Sequence, residues 1–159
     1  MRITYRPIGV IHSPFTDLKD MPIQPTGEAS APGIAEVLPE YAEGLKDVEG
    51  FSHLILLYHL HQVRRQDLTV RPSLGSEPRG VFATRAPTRP NPIGLSVVKL
   101  LRREGTKLHL AKVDVLDGTP LLDIKPYVPE FDESKDVRIG WLEDAIGNVR
   151  STKSDDRFR

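Results

Sequence analysis

Cysteine is absent from the 159 residues of the chain, so disulfides, thiolate nucleophiles and cysteine-type zinc sites are excluded. No apolar run approaches the length of a membrane span, and the first residues lack the apolar core of a signal peptide. Net charge is also absent, because 22 basic residues balance 22 acidic ones, which argues against a protein that wraps nucleic acid by overall charge. These absences predict a soluble cytoplasmic protein with no membrane partner.

Three well-known motifs of nucleotide and acyl chemistry are missing as well. No G-x-G-x-x-G follows a predicted strand, so a doubly wound dinucleotide or methyltransferase domain is not expected. No G-x-x-x-x-G-K-[ST] is present, which excludes a P-loop nucleotide hydrolase, and no G-x-S-x-G elbow is present either.

The zero net charge hides two charged segments. Residues 28–49 contain six acidic residues and one basic residue, whereas residues 64–89 contain six arginines and two acidic residues. A local basic surface is therefore predicted around Arg64 and Arg65, and arginines on an adaptable loop suit contact with a phosphate backbone. The alternative is an ordinary solvated loop.

The most informative segment is Gly80–Gly94, GVFATRAPTRPNPIG. It opens with Val81–Thr84, which we expect to form a short buried strand. Three prolines then fix φ and remove backbone donors, so the rest of the segment is a stiff loop that carries Arg85, Arg89 and Asn91. Arginine binds carboxylates and phosphates with a planar fork, and a stiff loop loses little entropy on binding. A binding role is therefore favoured over a structural turn.

Fourteen prolines and twelve glycines divide the chain into short pieces. This punctuation predicts a mainly β fold, a small single-domain β-barrel with one or two short helices and long proline-rich loops. We expect residues 1–140 to form the barrel domain and residues 141–159 to form a short helix and a disordered tail. Val63–Arg79 is predicted as a flexible surface loop. The predicted strands are Met1–Ile11, Ile34–Leu38, Phe51–Gln62, Leu95–Arg102, Lys107–Leu116 and Leu121–Ile124, and the predicted helix within the barrel is Pro39–Lys46.

Phe51–Gln62, FSHLILLYHLHQ, is the most apolar segment. Both of its alternating faces are largely apolar, which predicts a central strand buried on two sides. His59 and His61 are two residues apart and would share a strand face, an arrangement that can bind a metal. No third ligand motif completes the set, so no metal is expected and a hydrogen-bonded core role for His59 is preferred. His61 and Gln62 stand at the strand end, where ligand-binding groups are often displayed.

Three stiff polar turns remain to be explained: Pro22–Pro25, Arg85–Gly94 and Asp117–Pro120. Each is shaped by proline or glycine, and an Asp-Gly turn taken alone is usually structural. If the three turns meet at one end of a barrel beside His61 and Gln62, they form a pocket with backbone donors, an arginine and a carboxylate. Such a pocket suits a polar zwitterion or a nucleotide.

Four blocks of the chain carry a family resemblance: PIGVIHSPF, FSHLILLYHLHQ, GVFATRAPTRPNPIGLS and DVLDGTPLLDIKPY, in order between Pro7 and Tyr127. In these blocks the chain resembles the TsaA-like family, the TrmO-type tRNA methyltransferases. The resemblance implies a small β-barrel that binds S-adenosyl-L-methionine without a Rossmann domain and works as a homodimer. It also implies N6-methylation of N6-threonylcarbamoyladenosine at position 37 of certain tRNAs.

The resemblance further implies which residues form the site. Ile23 departs from the family pattern, because a basic residue is often found there. Arg89 and Asn91 are expected to hold the threonyl carboxylate or a phosphate by charge-assisted contacts, and the basic segment with Arg64 and Arg65 is expected to grip the tRNA. The residues that match the family's cofactor positions are Pro22, Ile23, Gln24, His61, Gln62, Arg85, Leu95, Leu116, Asp117, Gly118 and Thr119.

Methyl transfer from a sulfonium requires in-line approach of the nucleophile, so proximity should dominate the catalysis. The N6–H group must lose its proton, and a base would help. Asp117 and His61 are the candidate bases. Two alternatives stay open: a non-catalytic RNA-binding module that uses the arginines, and a cupin-like metal enzyme built on His59 and His61.

Overall fold

The computed structural model describes residues 1–17 and 31–146 of the chain. The chain divides into two compact units. The first comprises Met1–Arg64 and Asn91–Val128, and the second comprises Arg65–Pro90 and Pro129–Arg159. No helix among the described residues is long and apolar enough to cross a membrane.

The first unit is a closed, antiparallel barrel of six strands, which confirms the predicted mainly β barrel fold. Closure pairs every strand on both sides and so removes the exposed sheet edges. Around the barrel the strand order is β1-β2-β7-β6-β3-β8. These strands are β1 Gly9–His12, β2 Ala31–Val37, β3 His53–His59, β6 Ile93–Glu104, β7 Lys107–Val113 and β8 Thr119–Pro126, and the second unit adds the short pair β4 Thr69–Val70 and β5 Arg79–Gly80.

The core fills the barrel interior because alternate residues of each strand point inward. Leu54 and Leu56 on β3, and Leu108 and Leu110 on β7, are fully buried. The prediction that β3 is buried on both faces is wrong, since the side chains on its other face, such as Ile55, are only partly covered. A closed barrel of this size has one interior, so the second apolar face of a strand lies on the outside.

Several predicted elements are confirmed with shifted bounds. The hairpin of β6 and β7 turns through Gly105, which has φ +61°. The predicted helix at Pro39–Lys46 is a 3-10 helix over Pro39–Leu45, and residues 142–146 are helical as expected. The first strand is shorter than predicted, because residues 1–7 are exposed and the strand itself covers only Gly9–His12.

The second unit differs most from the prediction. Val81–Ala83 is a 3-10 helix and not a strand, because Thr84 closes a turn by donating both its amide and its hydroxyl to the Val81 carbonyl. The predicted loop Val63–Arg79 contains β4, which pairs with β5 across Thr69 and Gly80. The unit also contains the helix α1, Pro129–Asp132.

Candidate functional site

One end of the barrel collects the chemically interesting side chains. β1 ends there at His12 and β3 at His59, while β6 begins there at Ile93 and β8 at Thr119. Neighbouring strands run antiparallel, and the register pairs Ile11 with Thr119 and His59 with Ile93. We call this the His12 end of the barrel.

The turn Leu116–Thr119 closes the His12 end between β7 and β8. Gly118 has φ +82°, a conformation that favours glycine, and the space where its side chain would be is open. The Asp117 amide donates to the Phe15 carbonyl and the Gly118 amide donates to the Ile11 carbonyl, at 2.7 and 2.9 Å. The turn is therefore attached firmly to the chain that leaves β1.

The Asp117 carboxylate is held by the residues that follow β1. The Ser13 amide donates to Asp117 Oδ1 at 3.0 Å, and the Ser13 hydroxyl donates to the carbonyl of Val115. His12 lies between two carboxylates, with Nε2 3.0 Å from Glu36 Oε2 and Nδ1 3.8 Å from Asp117 Oδ1. These groups are exposed, so they contribute little to stability, but they fix the position of a carboxylate at the barrel end.

A buried chain of polar side chains reaches the same end from inside the barrel. Tyr58 Oη lies 2.6 Å from Ser96 Oγ, and the Ser96 hydroxyl donates to Asp114 Oδ1 at 2.7 Å. Burial raises the pKa of Tyr58 to about 12; the hydrogen bond with Ser96 opposes this rise, and the negative charge of Asp114 adds to it. The ring of Tyr58 lies against Gly94, and the ring fits there because glycine has no side chain.

Sequence reasoning missed this chain of three residues. The sequence pattern places the three residues in three separate predicted strands and gives no sign that they are joined. The available signal was a serine at an inward position of β6, between residues that fill the core. A buried hydroxyl needs a partner, and that requirement points to a second polar group inside the barrel.

The residues after β3 form a turn at the His12 end. β3 stops at His59, so His59 and His61 do not share a strand face, contrary to the prediction. His61 and Gln62 lie in the turn, which is attached to the proline-rich segment by the Leu60 amide donating to the Pro92 carbonyl at 2.8 Å. Among residues 1–17 and 31–146 no group of three histidine or acidic side chains is placed to hold a metal ion.

The outer face of β6 carries the next predicted site residue. Leu95 points away from the core, pairs with Leu57 on β3 and is 54% exposed. Asn91 is also exposed, and its carbonyl accepts the Ile93 amide at 2.8 Å. Leu95 is therefore positioned to meet a ligand or a protein outside the barrel, not inside it.

Two arginines of the proline-rich loop have different environments in the second unit. Arg89 Nη1 donates to the carbonyls of Val81, Thr84 and Ala86 at 3.2, 2.8 and 3.2 Å. Arg85 is exposed and has no ion pair or hydrogen bond with the described part of the chain. Arg89 therefore holds the loop in shape, whereas Arg85 is free to bind.

The remaining predicted residues are placed as follows. Arg65 forms an exposed ion pair with Asp67 at 2.9 Å, and Arg64 is exposed. Pro22, Ile23 and Gln24 lie outside the described residues. The structure thus brings His61 and Gln62 to the same barrel end as the 116–119 turn, and the larger predicted pocket, which also draws on Gln24 and Arg85, stays a prediction.

A pocket in the first unit lies at the opposite end of the barrel. It is surrounded mainly by apolar side chains, including Ile8, Tyr41, Leu45 and Phe51. None of the predicted site residues lines it. The chemistry-bearing side chains and this apolar pocket are therefore at different ends.

The barrel and its His12 end are similar to a known protein family. The model of the tRNA-methyltransferase O N-terminal domain matches residues 10–133. The chain belongs to the TrmO N-terminal domain family. The match includes the whole barrel from Val10 onward and the proline-rich loop, so it contains every described residue of the predicted site.

Three similar proteins have informative names. A Pyrococcus abyssi protein named "Probable S-adenosyl-L-methionine-binding protein" is 56% identical over 99% of this chain and 86% of its own length. The Escherichia coli tRNA (adenine(37)-N6)-methyltransferase is 39% identical over 89% of this chain but only 64% of that protein. The crystal structure of TrmO from Pseudomonas aeruginosa superposes with a TM-score of 0.73 at 42% identity, covering 89% of this chain and 63% of that one. The chain thus spans less than two thirds of these last two proteins.

Proposed function

We propose that the chain is an S-adenosyl-L-methionine-dependent tRNA methyltransferase that methylates N6 of N6-threonylcarbamoyladenosine at position 37. The observation that carries the proposal is the family match over residues 10–133, which spans the His12 end and its polar groups. The name of the Escherichia coli relative supports an adenine N6 acceptor, and the name of the Pyrococcus abyssi relative supports the cofactor.

The cofactor is S-adenosyl-L-methionine, whose sulfonium supplies an electrophilic methyl group when bound. The residues at the His12 end suit such a zwitterionic nucleoside. Asp117 offers a fixed carboxylate, the open space at Gly118 lets a ligand approach the backbone, and the exposed Leu95 offers apolar surface. We assign cofactor binding to Pro22, Ile23, Gln24, His61, Gln62, Arg85, Leu95, Leu116, Asp117, Gly118 and Thr119.

The protein binds and orients the cofactor, and one of its side chains accepts the proton that leaves the acceptor nitrogen. Arg85 is an uncommitted guanidinium on a loop stiffened by proline, and its planar fork suits the carboxylate of an amino acid. The Ser13 amide keeps the Asp117 carboxylate in one orientation, which lowers the entropy lost on binding. Asp117 and His61 are the two candidate bases that the sequence offers for the N6 proton.

The tRNA is bound by exposed polar side chains in this proposal. Arg64 and Asn91 are exposed, and the ion pair of Arg65 with Asp67 is weak enough to be replaced by a phosphate. Arg89 retains Nε and Nη2 for a substrate contact while its Nη1 holds the loop. Affinity for tRNA should therefore fall as salt is added.

A homodimer completes the proposal. Apolar residues project from the outer face of the barrel along β6 and the adjacent part of β3, and an exposed apolar surface of this kind marks an interface. The outward residues of β6 are exposed, and their neighbours on β3 are partly covered. This outer face is formed by Ile93, Leu95, Val97 and Leu101 on β6 and by Ile55 and Leu57 on β3.

The test is a labelled-methyl transfer assay with purified protein. The acceptors are one tRNA prepared with and without the threonylcarbamoyl group at position 37. We expect label in the modified tRNA only. Saturable cofactor binding with no label in the modified tRNA rejects this acceptor while keeping the cofactor, and no cofactor binding rejects the whole proposal.

The exposed arginines also suit a non-catalytic RNA-binding module, and one substitution separates the two functions. Arg85→Ala should abolish cofactor binding in a methyltransferase, because the free guanidinium is lost, but should only weaken RNA binding in a module. Arg102→Ala is the matched control, since Arg102 is an exposed arginine on β6 with an ion pair to Glu104. Calorimetry with S-adenosyl-L-methionine measures the difference.

A further inference from the structure

The hydrogen-bonded chain of Tyr58, Ser96 and Asp114 stands in an interior that is otherwise apolar. Tyr58 and Ser96 are each 6% exposed, and Ser96 is one of two buried polar residues in the described chain, with Thr119. Burying hydroxyl groups there costs free energy unless each is paired, and an apolar filling of the same shape is often at least as stable. The hydrogen-bonded series of Tyr58, Ser96 and Asp114 therefore indicates a role other than stability.

The two hydrogen bonds that join Tyr58, Ser96 and Asp114 both donate toward Asp114. The Ser96 hydroxyl proton is used in donation to Asp114 Oδ1, so the bond between Tyr58 and Ser96 must use the proton of Tyr58. Tyr58 keeps that proton at neutral pH, as any phenol with a pKa near 10 does, and burial raises its pKa further, to about 12. Both donors thus support a negative charge on Asp114, and successive hydrogen bonds polarise one another.

The carboxylate of Asp114 stands at the boundary between the core and the His12 end. Asp114 directly follows β7, is half-buried, and precedes Asp117 by three residues in the same connection. Ser13 holds that connection at the Val115 carbonyl and at Asp117 Oδ1. The Asp114 carboxylate is therefore held by Ser96, and the connection that follows it is held by Ser13.

We propose that Asp114, in place of the candidate bases Asp117 and His61, is the proton acceptor for the methylated nitrogen, with Ser96 and Tyr58 as the positioning residues that hold its carboxylate. The inference rests on the proposed function. In the step, the acceptor nitrogen forms a bond to the methyl carbon of a sulfonium donor, and the methyl–sulfur bond breaks with its electron pair remaining on sulfur. The N–H proton passes to an Asp114 oxygen, so the sulfonium becomes a neutral thioether and the carboxylate a neutral carboxylic acid. Asp114 then releases the proton to solvent and regains its negative charge.

The kinetic test compares Asp114→Asn with the wild-type protein on threonylcarbamoyl-modified tRNA. We expect kcat to fall by about 10²-fold or more, which is the usual contribution of a positioned base, with the Kd for S-adenosyl-L-methionine within about threefold. The decline of kcat toward acid pH should disappear in Asp114→Asn and persist in Asp117→Asn and His61→Ala. A kcat within threefold of wild type, or loss of the acid decline in one of the other two variants, overturns the inference.

Ser96→Ala tests the positioning role and replaces Asp114→Asn if that variant does not fold. It keeps the carboxylate but removes its donor, so kcat should fall about tenfold with little change in cofactor Kd. An unchanged kcat overturns the positioning role. If wild-type protein transfers methyl groups to no tRNA, the proposed function fails first and the role of Asp114 fails with it.

A cofactor-free readout tests the chain itself. The buried Tyr58 hydroxyl should give a slowly exchanging proton signal in NMR spectra of the free protein, absent in Tyr58→Phe. Asp114→Asn should shift this signal, because neutralising the acceptor weakens the polarisation of the whole chain. A signal that does not move shows that the chain does not end on an ionised Asp114 and overturns the inference independently of any methyl transfer.

Discussion

A side chain at Gly94 would overlap the ring of Tyr58, because the two residues are directly opposite on β6 and β3. Gly94, the glycine of the PNPIG motif, is therefore required for packing of the barrel interior. We predict that Gly94→Ala lowers the free energy of unfolding by at least about 2 kcal/mol, since the ring cannot move within a close-packed core without strain. Urea unfolding measures the change.

The matched control for Gly94→Ala is Gly44→Ala. Gly44 has no atom within 4 Å of the position where its side chain would begin. Its substitution should alter the free energy of unfolding by no more than about 0.5 kcal/mol. Equal effects of the two substitutions would mean that the Tyr58 ring does not lie against Gly94.

Tyr58 should make stability depend on pH in the alkaline range. Its pKa is about 12 in the folded protein, mainly because of burial, and about 10 in an unfolded chain. The unfolded chain therefore releases the phenol proton first, so this stabilisation is complete below pH 10 and is lost as the pH rises toward 12. Between pH 8 and pH 11 we expect the wild type to lose about 1 kcal/mol more than Tyr58→Phe in urea unfolding. Parallel losses in the two proteins would contradict the shifted pKa.

Individual residues also mark the limit of what the sequence predicts about the site. The turn at Asp117 and Gly118 could be predicted because an Asp-Gly pair has a local signature, and its role in the site stays a prediction. The hydrogen bond between Ser96 and Asp114 could not, because the two residues are 18 apart and meet only in one register of β6 against β7. Pairing of this kind depends on strand register, which one sequence does not specify.

At the scale of elements, the proline-rich loop depends on an arginine. Arg89 Nη1 donates to three carbonyls within residues 81–86, and the Thr84 amide donates to the Val81 carbonyl in the same loop. We predict that Arg89→Ala raises the hydrogen-exchange rate of the Thr84 amide by about tenfold or more, because hydrogen bonds to a charged group contribute about 1.5 to 3 kcal/mol. Mass spectrometry of the exchanged loop measures the rate.

Arg85→Ala provides the comparison within the same loop. Arg85 has no polar contact in the described chain, so its removal should leave the exchange rate of the Thr84 amide unchanged. Comparing Arg89→Ala with Arg85→Ala therefore distinguishes an arginine that supports the loop from one that is free to bind a ligand. Faster exchange in Arg85→Ala would show that Arg85 also supports the loop.

The elements that could be predicted are those that local patterns determine. Alternation around Glu104 and Gly105 predicts the β6–β7 hairpin, and the structure confirms it. The strand predicted at Val81–Thr84 was wrong, because two donations from Thr84 to one carbonyl favour a turn over the apolar pattern. The two-sided burial predicted for β3 was wrong because closure of the sheet, a property of all six strands, decides which face is the interior.

At the scale of the whole molecule, the outer face of β3 and β6 remains apolar after the core is complete. Leu95 is 54% exposed and Val97 is 40% exposed on the same face, and both pair with partly covered apolar residues of β3. An exposed apolar patch that joins two neighbouring strands is a candidate interaction surface. Because Leu95 is also proposed to contact the cofactor, an interface on this face would bring a second copy close to the site.

We predict that Val97→Glu converts the proposed homodimer into a monomer. A carboxylate in the centre of an apolar interface would lose its hydration without gaining a partner, which costs several kcal/mol. Sedimentation should give a dimer for the wild-type protein and a monomer for Val97→Glu. The matched control is Leu38→Glu, because Leu38 is 42% exposed but lies outside this face, and it should remain a dimer. A monomeric wild-type protein, or a Val97→Glu variant that still sediments as a dimer, would exclude this face as the interface.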